Sequence, residues 1–313
     1  HLSIRRQRQM CIRDSNNTWK KLAMKKKILI IIINLWKMLV GLPRFLHKPL
    51  GYLIGMIFYI FPIKRNLYSK KNINLCFKDL NSNQRKKIHK KNILNTGMVI
   101  ITTGIAWFWS NERINRSIKY SIKGLDSLVR EQEEGNGVLL IFKHSLHLEL
   151  DSRILGMNIP VYGVERVHNS DYFDSVQSRG RLKGLQGSAD KNQPIKFIRW
   201  LKTGKTVLYA IDQDYGIKSS EIIKFFGNDA ATITAPHKIV ESSKCKTYFL
   251  NSYIEDNTLI LSLESFVGDK SSPINFSQSI NDFIESKVKL HPDEYLWQHR
   301  RFKSTLGKDN FYK

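Results

Sequence analysis

A histidine and a carboxylate five residues apart, His144 and Glu149, are residue types that perform general acid–base chemistry. The apolar run Val138–Phe142 precedes them and predicts a buried strand, so His144 lies at a strand end. Glu149 falls in the first turns of the helix expected next. We predict that the two side chains meet and that the carboxylate fixes the imidazole tautomer and raises its basicity. Such a pair can activate a hydroxyl group for attack on an acyl donor.

The spacing of these residues also fits two other interpretations. In one, His144, His147 and Glu149 are metal ligands. The pattern is neither HExxH nor a two-cysteine motif, and no other cluster supplies a fourth ligand, so we expect no metal site. In the other, His144 is a structural histidine at a strand end, and spacing alone does not separate that role from a catalytic one.

Basic residues surround a glycine further along the chain, where Arg179, Gly180, Arg181 and Lys183 follow one another. Arginine binds phosphate and carboxylate groups through two parallel hydrogen bonds, so this segment can hold a phosphate or an acidic partner. The alternative is a solvated basic helix end that the helix dipole stabilises. The segment on its own favours the alternative.

Two aspartates, Asp212 and Asp214, follow the predicted strand Thr206–Ile211. Asp212 can orient a base, hold Arg181 or cap the next turn, and capping is the commonest role for such a residue. A paired magnesium site is conceivable here, but the sequence has no nucleotide-binding loop to accompany it.

The segment Leu296–Lys303 contains three cations, two aromatic residues and a histidine, with Arg300 and Arg301 near its centre. This composition fits a phosphate clamp or a nucleic-acid patch. The sequence has no RNP aromatics, no zinc finger and no G-x-x-G in a KH context. We therefore expect no nucleic-acid partner.

The chain has 313 residues and a formal net charge of +24, from 51 Lys and Arg against 27 Asp and Glu. The charge indicates a polyanionic partner: nucleic acid, an anionic membrane surface, or an acidic carrier protein with a phosphorylated lipid. An AT-rich genome, which favours Lys, Ile and Asn codons, would produce part of the same excess. The three cysteines, Cys11, Cys76 and Cys245, are far apart, which argues against a disulfide framework and suits a reducing compartment.

Strand and helix patterns alternate from Gly124 onwards, which predicts an α/β fold with three α/β/α layers and a mainly parallel sheet. Residues 66–313 are expected to form the catalytic domain, helical and basic up to about residue 123. Ligands of such sheets bind outside the carboxyl ends of the strands, where His144 and Asp212 both lie. Other predicted elements are strands at Pro160–Glu165, Lys246–Ile254 and Thr258–Phe266, and helices at Leu146–Leu155, Asp171–Arg181, Pro194–Leu201, Ala235–Ser243 and Ile280–Lys289.

The N-terminal region divides into two parts. Arg5–Ser15 is polar and without period, and we expect residues 1–23 to be a non-native or disordered leader. Residues 24–65 contain the apolar stretches Ile28–Leu42 and Pro49–Ile63, and we expect a membrane anchor. Each stretch is shorter than the roughly 20 residues of a perpendicular span. The anchor is therefore either a single tilted span over about residues 28–48 or a hairpin or interfacial pair of helices.

An ordered set of short blocks resembles the late lipid A acyltransferases, the lauroyl/myristoyl acyltransferase family of Gram-negative bacteria in the lysophospholipid acyltransferase-like superfamily. The resemblance extends from about Leu42 to Lys303. The block His144-x4-Glu149 is similar to the H-x4-D/E catalytic motif of that family. One block would be a weak signal, whereas the ordered set is a strong one. The other blocks are Asn74–Phe77, Gly104–Trp109, Ser178–Arg181, Asp212–Gly216 with Phe225–Gly227, and Trp297–Lys303.

This resemblance implies an acyltransferase at the bacterial inner membrane, with its catalytic domain facing the cytoplasm. It implies acyl carrier protein as donor and partner, a hydroxyl of a Kdo-linked lipid A precursor as acceptor, and no cofactor. A phospholipid or another glycolipid is the alternative acceptor. Lys143 departs from the small or apolar residue expected before the histidine. The implied site consists of His144 as base and Glu149 as its partner, with Gly180, Arg181, Asp212, Arg300 and Arg301 in supporting or substrate-binding roles.

Overall fold

A seven-stranded sheet forms the centre of the protein in the computed structural model, which describes residues 24–61, 63–166, 168 and 170–313. The predicted leader, residues 1–23, lies outside the described residues. The strands are β1 Tyr120–Lys123, β2 Val138–Phe142, β3 Val161–Glu165, β4 Gly187–Asp190, β5 Thr206–Ala210, β6 Glu221–Phe225, β7 Asn228–Thr232, β8 Lys246–Glu255 and β9 Thr258–Ser265. The sheet order is β1-β9-β8-β2-β5-β3-β4, and β6 and β7 form a separate hairpin.

Eleven helices of the described chain precede the sheet, connect its strands or follow its last strand, and short helical turns lie at Ile217–Ser219, Pro292–Glu294 and Gly307–Phe311. The helices are α1 over 24–41, α2 Arg44–Ile60, α3 Lys64–Cys76, α4 Ser82–Phe108, α5 Asn111–Ser117, α6 Leu125–Glu133, α7 Leu148–Asn158, α8 Asp171–Arg181, α9 Pro194–Lys202, α10 Ala235–Ser243 and α11 Pro273–Leu290.

Strand β2 lies inside the sheet, and all five of its residues are apolar and buried. It pairs in parallel with β5 and with β8, whereas β8 and β9 pair antiparallel. Leu139 and Ile141 belong to one core, which α9, α10 and α11 complete, while Leu140 and Phe142 belong to a second core with α4 and α7. Because a parallel strand is covered on both faces, it needs such an unbroken apolar run. The predicted α/β fold with a mainly parallel sheet is confirmed.

The boundaries of several elements match their predictions, since β2, α8 and α10 begin and end where the patterns indicated. Four features were not predicted: β1, β4, the β6–β7 hairpin and α6. The sequence of β4 is GSAD, which has no apolar alternation, so only its pairing with β3 defines it. Strand β1 lies within a region expected to be helical and pairs with β9 at the sheet edge.

Two helices, rather than one continuous span, form the N-terminal apolar region. The predicted single span over 28–48 is wrong because α1 ends at residue 41 and α2 begins at Arg44. Pro43 lies between them and lacks the N–H group that a continuing helix requires. In the described part of the chain, no single helix is long and apolar enough to cross a membrane. Helices α2 and α3 have the length and apolar composition of a membrane span only when they are taken together, and an 84° bend lies between them.

Candidate active site

The register of two central strands places His144. Phe142 at the end of β2 pairs with Ala210 at the end of β5, so His144 and Asp212, two residues further on, lie side by side. The imidazole Nδ1 of His144 hydrogen-bonds Asp212 Oδ1, and the main-chain N–H of His144 donates to Asp212 Oδ2 over 2.9 Å. The His144 side chain is 19% exposed, while that of Asp212 is fully buried. The pair thus presents an accessible imidazole on an anchored carboxylate.

The buried carboxylate of Asp212 is ionised. Burial alone would raise its pKa, but the charge of His144, the two hydrogen bonds from His144 and one from Tyr295 outweigh burial and lower the pKa to about 2. An ionised carboxylate at Nδ1 keeps the proton on that nitrogen and leaves Nε2 as an acceptor. This is the arrangement that a general base requires.

Glu149 does not pair with His144, contrary to the prediction: no hydrogen bond or ion pair joins these two described residues. Glu149 accepts hydrogen bonds from Arg181 Nε at 3.1 Å and Nη2 at 2.5 Å, and from the Trp107 indole at 2.8 Å. A largely buried guanidinium requires a carboxylate partner, and Arg181 reaches Glu149 from the end of α8. The chain spacing brings Glu149 close to the histidine, but tertiary packing supplies the stronger partner.

Arg181 joins two carboxylates. Its Nη1 donates to Glu165 Oε2 over 2.7 Å, in addition to its bonds to Glu149. Burial on its own would lower the pKa of Arg181, but Glu149 and Glu165 raise it above the usual value. Arg181 therefore stays charged, and its charge is offset within the protein.

Gly180 allows α8 to lie against the aromatic end of α4. A Cβ atom at Gly180 would lie 2.5 Å from the indole Cγ of Trp107. The same indole donates its N–H to Glu149. Because Gly180 has no side chain, Trp107 can lie where its indole orients Glu149.

A cavity of about 640 Å³ opens over these side chains. His144, Glu149 and Arg181 line it, together with residues at the carboxyl ends of β2, β3 and β5, as expected for a parallel sheet. It therefore combines a base, a neutralised ion pair and an apolar wall. Its apolar and aromatic lining includes Trp107, Phe142, Leu148, Leu185, Leu208 and Tyr215.

A second polar cluster lies behind His144. His147 Nδ1 hydrogen-bonds Asp151 Oδ1 at 2.8 Å, and His147 Nε2 contacts Glu294 Oε2 at 3.3 Å. Burial would lower the pKa of His147, but the charges and hydrogen bonds of Asp151 and Glu294 raise it to about 9. A histidinium between two carboxylates is a compensated buried charge.

Lys143 belongs to the same buried region and is 2% exposed. Its ammonium donates to the main-chain oxygen of Ser252 over 2.8 Å. Burial lowers the pKa of Lys143, and Asp151, Glu294 and Asp212 act in the opposite direction. The unusual residue before His144 therefore extends the polar cluster beneath the site.

Comparison with known proteins identifies the family. The family model described as bacterial lipid A biosynthesis acyltransferase matches residues 15–304. The chain belongs to this family. It is 32% identical over 276 residues to the lipid A biosynthesis lauroyltransferase of Escherichia coli (strain K12). The similar region covers 86% of this chain and 89% of the relative.

Two further relatives carry similar names. The chain is 30% identical over 271 residues to the lipid A biosynthesis palmitoleoyltransferase of Escherichia coli (strain K12), covering 84% of this chain and 87% of the relative. It is also 30% identical over 280 residues to a lipid A biosynthesis acyltransferase of Haemophilus influenzae (strain ATCC 51907 / DSM 11121 / KW20 / Rd). This similarity covers 87% of this chain and 89% of the relative. The protein is an acyltransferase, and the predicted resemblance is confirmed.

In this lipid A acyltransferase family member, the two arginines of the C-terminal block lie outside the cavity lining. Arg301 is 2% exposed and donates to Ala231 O over 2.6 Å and to Thr232 Oγ1 over 2.7 Å, which fixes β7. Arg300 stacks 5.4 Å from the ring centroid of Tyr68. The structure therefore brings His144, Glu149, Gly180, Arg181 and Asp212 together, but not Arg300 and Arg301, whose roles in binding stay a prediction.

Residues His299 and Lys303 of the same C-terminal block do line the cavity. Burial, followed by repulsion from His144 and Lys303, lowers the pKa of His299 to about 3. This histidine is therefore neutral, unlike the buried His147.

Three acidic residues around the site of this acyltransferase were not predicted. Glu165 ends β3, so the strand-end signal used for Asp212 applies to it as well. Asp151 lies four residues after His147, a spacing that pairs side chains on a helix. Glu294 gave no local signal, because it reaches His147 from 147 residues away.

Proposed function

We propose that this acyltransferase moves a fatty acyl chain from acyl carrier protein to a hydroxyl group of a Kdo-linked lipid A precursor. The observation that carries the proposal is the His144–Asp212 pair in the cavity, in a chain whose family acts in lipid A biosynthesis. A sugar-linked acyl hydroxyl is a poor nucleophile, so it needs a base within hydrogen-bond reach.

In the proposed reaction, His144 Nε2 takes the proton of the acceptor hydroxyl while its oxygen attacks the thioester carbonyl. The new carbon–oxygen bond gives a tetrahedral intermediate, which collapses as the carbon–sulfur bond breaks. The departing thiolate then receives the proton from the imidazolium. Asp212 stabilises that imidazolium and holds the ring in the tautomer that accepts at Nε2.

Glu149 and Arg181 have a positioning role in this scheme. Their ion pair, with Glu165 as a second carboxylate, forms one wall of the cavity beside the base. The H-x4-E block is thus expected to be required for transfer through two different tasks, the histidine as base and the glutamate as anchor of Arg181.

The surface of α1 and α2 supports attachment to the inner membrane as an interfacial pair of helices. Large apolar side chains on both helices face solvent, and Phe45 is 75% exposed. Exposed apolar surface of this kind marks an interaction site. With the catalytic domain on the cytoplasmic side, the net charge of +24 would attract both an acidic carrier protein and a phosphorylated lipid. The most exposed large apolar side chains of α1, α2 and the residue that follows α2 are Ile31, Leu35, Met38, Phe45, Ile60 and Phe61.

Product analysis tests this function. The purified enzyme is incubated with acyl carrier proteins that bear acyl chains of different length, and with either a Kdo-linked lipid A precursor or lysophosphatidate. We expect the mass of one acyl chain to be added to the lipid A precursor. Acylation of lysophosphatidate alone would replace the proposed acceptor with a phospholipid.

A further inference from the structure

A second cavity of about 470 Å³ lies next to the His144 cavity, and Trp107 lines both. Trp107 and Gly180 line both cavities, so the two cavities share part of their wall. Helix α1, the C-terminal end of α4, helix α5 and helix α8 supply the remaining walls. This cavity has no part in the proposed acyl transfer at His144.

Four cations line the second cavity: Lys37, Arg113, Arg179 and Lys183. No Asp or Glu is among the described residues of its lining. Burial lowers the pKa of Lys183, and so does repulsion from Arg153 and Lys37. The cavity therefore concentrates positive charge without internal compensation, and a bound anion would relieve the repulsion.

Two of these cations have a structural task. Arg113 Nη2 donates to Gly41 O over 2.8 Å, and Lys183 Nζ donates to Phe108 O over 3.0 Å. Both bonds satisfy carbonyl groups at helix ends, the commonest use of basic residues there.

Helix capping does not explain the other two cations. The ammonium of Lys37 has no hydrogen bond or ion pair within the described chain and lies 5.5 Å from the ring centroid of Phe108. Arg179 uses only Nε, which donates to Ser175 O over 3.0 Å, so its two terminal nitrogens are free within the described structure. A phosphate accepts hydrogen bonds from such groups, and a guanidinium binds it with two parallel bonds.

The surroundings of Lys37 indicate which kind of phosphate-bearing ligand would fit the second cavity. Lys37 lies on α1 between Leu35 and Met38, which are 58% and 69% exposed and belong to the apolar surface proposed to meet the membrane. The cavity is thus at the boundary between that apolar surface and the wall of the catalytic cavity. A ligand that joins acyl chains to a phosphorylated sugar matches this boundary, because its phosphate could enter the cationic cavity while its acyl chains stay on the apolar surface.

We propose that the second cavity binds a phosphate group of the lipid acceptor, with Lys37 and Arg179 as its ligands. This inference rests on the proposed function, because it assumes that the acceptor is a phosphorylated glycolipid. The phosphate anchors the headgroup in the second cavity while an acceptor hydroxyl reaches His144 in the first.

Steady-state kinetics with two acceptors tests the site. Lys37→Gln and Arg179→Gln are compared with the wild-type enzyme on the Kdo-linked precursor and on the same precursor after enzymatic removal of its phosphates. Each substitution removes charge-assisted hydrogen bonds, so we expect KM for the phosphorylated acceptor to rise roughly tenfold or more with kcat little changed. With the dephosphorylated acceptor, the variants and the wild-type enzyme should have the same KM.

Matched controls separate a site from general surface charge. Lys27→Gln removes an exposed cation from the same helix, and Arg199→Gln removes an exposed arginine from α9, both outside the cavity lining. Equal KM changes in variants and controls, or equal losses on both acceptors, would overturn the proposal. The proposal would also be overturned if the two variants lost as much binding to phosphatidylglycerol vesicles without acceptor as they lost to the acceptor, because the cavity would then be a site for bulk lipid.

A binding measurement distinguishes failure of this site from failure of the proposed function. Binding of a fluorescent phosphorylated precursor to the enzyme in detergent micelles requires no acyl transfer. If the wild-type enzyme binds the precursor through Lys37 and Arg179 but does not acylate it, the proposed function fails and the site stands. If it acylates the precursor and both variants bind it normally, the site fails and the function stands.

Discussion

Two hydrogen bonds connect Asp212 to His144, one from the imidazole Nδ1 and one from the main-chain N–H. The second bond fixes the backbone at the end of β2, and the first fixes the rotation of the ring. The carboxylate thus determines both the position and the tautomer of the proposed base.

Asp212→Asn should therefore reduce acyl transfer far more than it alters folding. An amide keeps the shape of the side chain but carries no charge to stabilise the imidazolium, so we expect kcat to fall by roughly 10²–10⁴-fold. Because the pKa of Asp212 is lowered to about 2, this carboxylate is ionised at neutral pH. Asp256→Asn, in an exposed turn, is the matched control. A kcat for Asp212→Asn within threefold of wild type would contradict the role assigned to Asp212.

Glu149→Gln should cost stability as well as activity, because Arg181 loses its bidentate partner. Hydrogen bonds to charged groups contribute about 1.5–3 kcal/mol, and we expect a fall in the free energy of unfolding within that range. Glu165→Gln should cost less, since it removes one hydrogen bond where Glu149 provides three to Arg181. Urea unfolding of both variants measures the difference. A larger loss from Glu165→Gln would reverse the assigned order of the two carboxylates.

The buried His147 should make stability depend on alkaline pH. Its folded-state pKa of about 9 is above the ordinary value of 6.5, so its contribution is complete below pH 6.5 and is lost as pH rises through 9. The shift corresponds to roughly 3 kcal/mol. His147→Gln should be less stable than wild type at pH 6 and should lose this part of the pH dependence. Parallel stability curves for the two proteins from pH 6 to 10 would show that His147 is not charged in the folded state.

Gly180→Ala should disturb the wall shared by the two cavities. The added methyl would lie 2.5 Å from Trp107 Cγ, and overpacking of this kind costs about 1–3 kcal/mol. Displacement of Trp107 should also weaken its hydrogen bond to Glu149 and lower acyl transfer. Gly41→Ala serves as the folding control, because no atom lies within 4 Å of a Cβ added there. Unfolding curves that coincide for wild type and Gly180→Ala would remove the packing role of this glycine.

The general position of the site followed from the sequence, whereas its pairings did not. Apolar runs that end in polar residues indicated that His144 and Asp212 lie at carboxyl ends of strands. The choice among three roles for Asp212 depended on β2 and β5 being neighbours, and strand order is a tertiary property. Glu149 was assigned to His144 from spacing along the chain. Spacing gives proximity, but the direction of the side chain depended on Arg181, which reaches it from α8.

Fold prediction succeeded where local patterns were strong and failed where pairing alone defines an element. Val138–Phe142 is buried on both faces and therefore has a continuous apolar sequence. Gly187–Asp190 has no such pattern and becomes a strand only because β3 provides a partner. Arg301 had no local sequence signal to distinguish it from Arg300, but it is buried and its guanidinium is hydrogen-bonded to the β7 backbone.

The most direct test of the central claim compares wild-type enzyme with His144→Gln in transfer from acyl carrier protein to the Kdo-linked lipid A precursor, with products weighed by mass spectrometry. His291→Gln is the control, because this histidine stacks on Tyr253 and is absent from the described cavity lining. We predict that wild type and the control add one acyl chain and that a folded His144→Gln adds none. Acylated product from His144→Gln at the wild-type rate would contradict the assignment of His144 as the base.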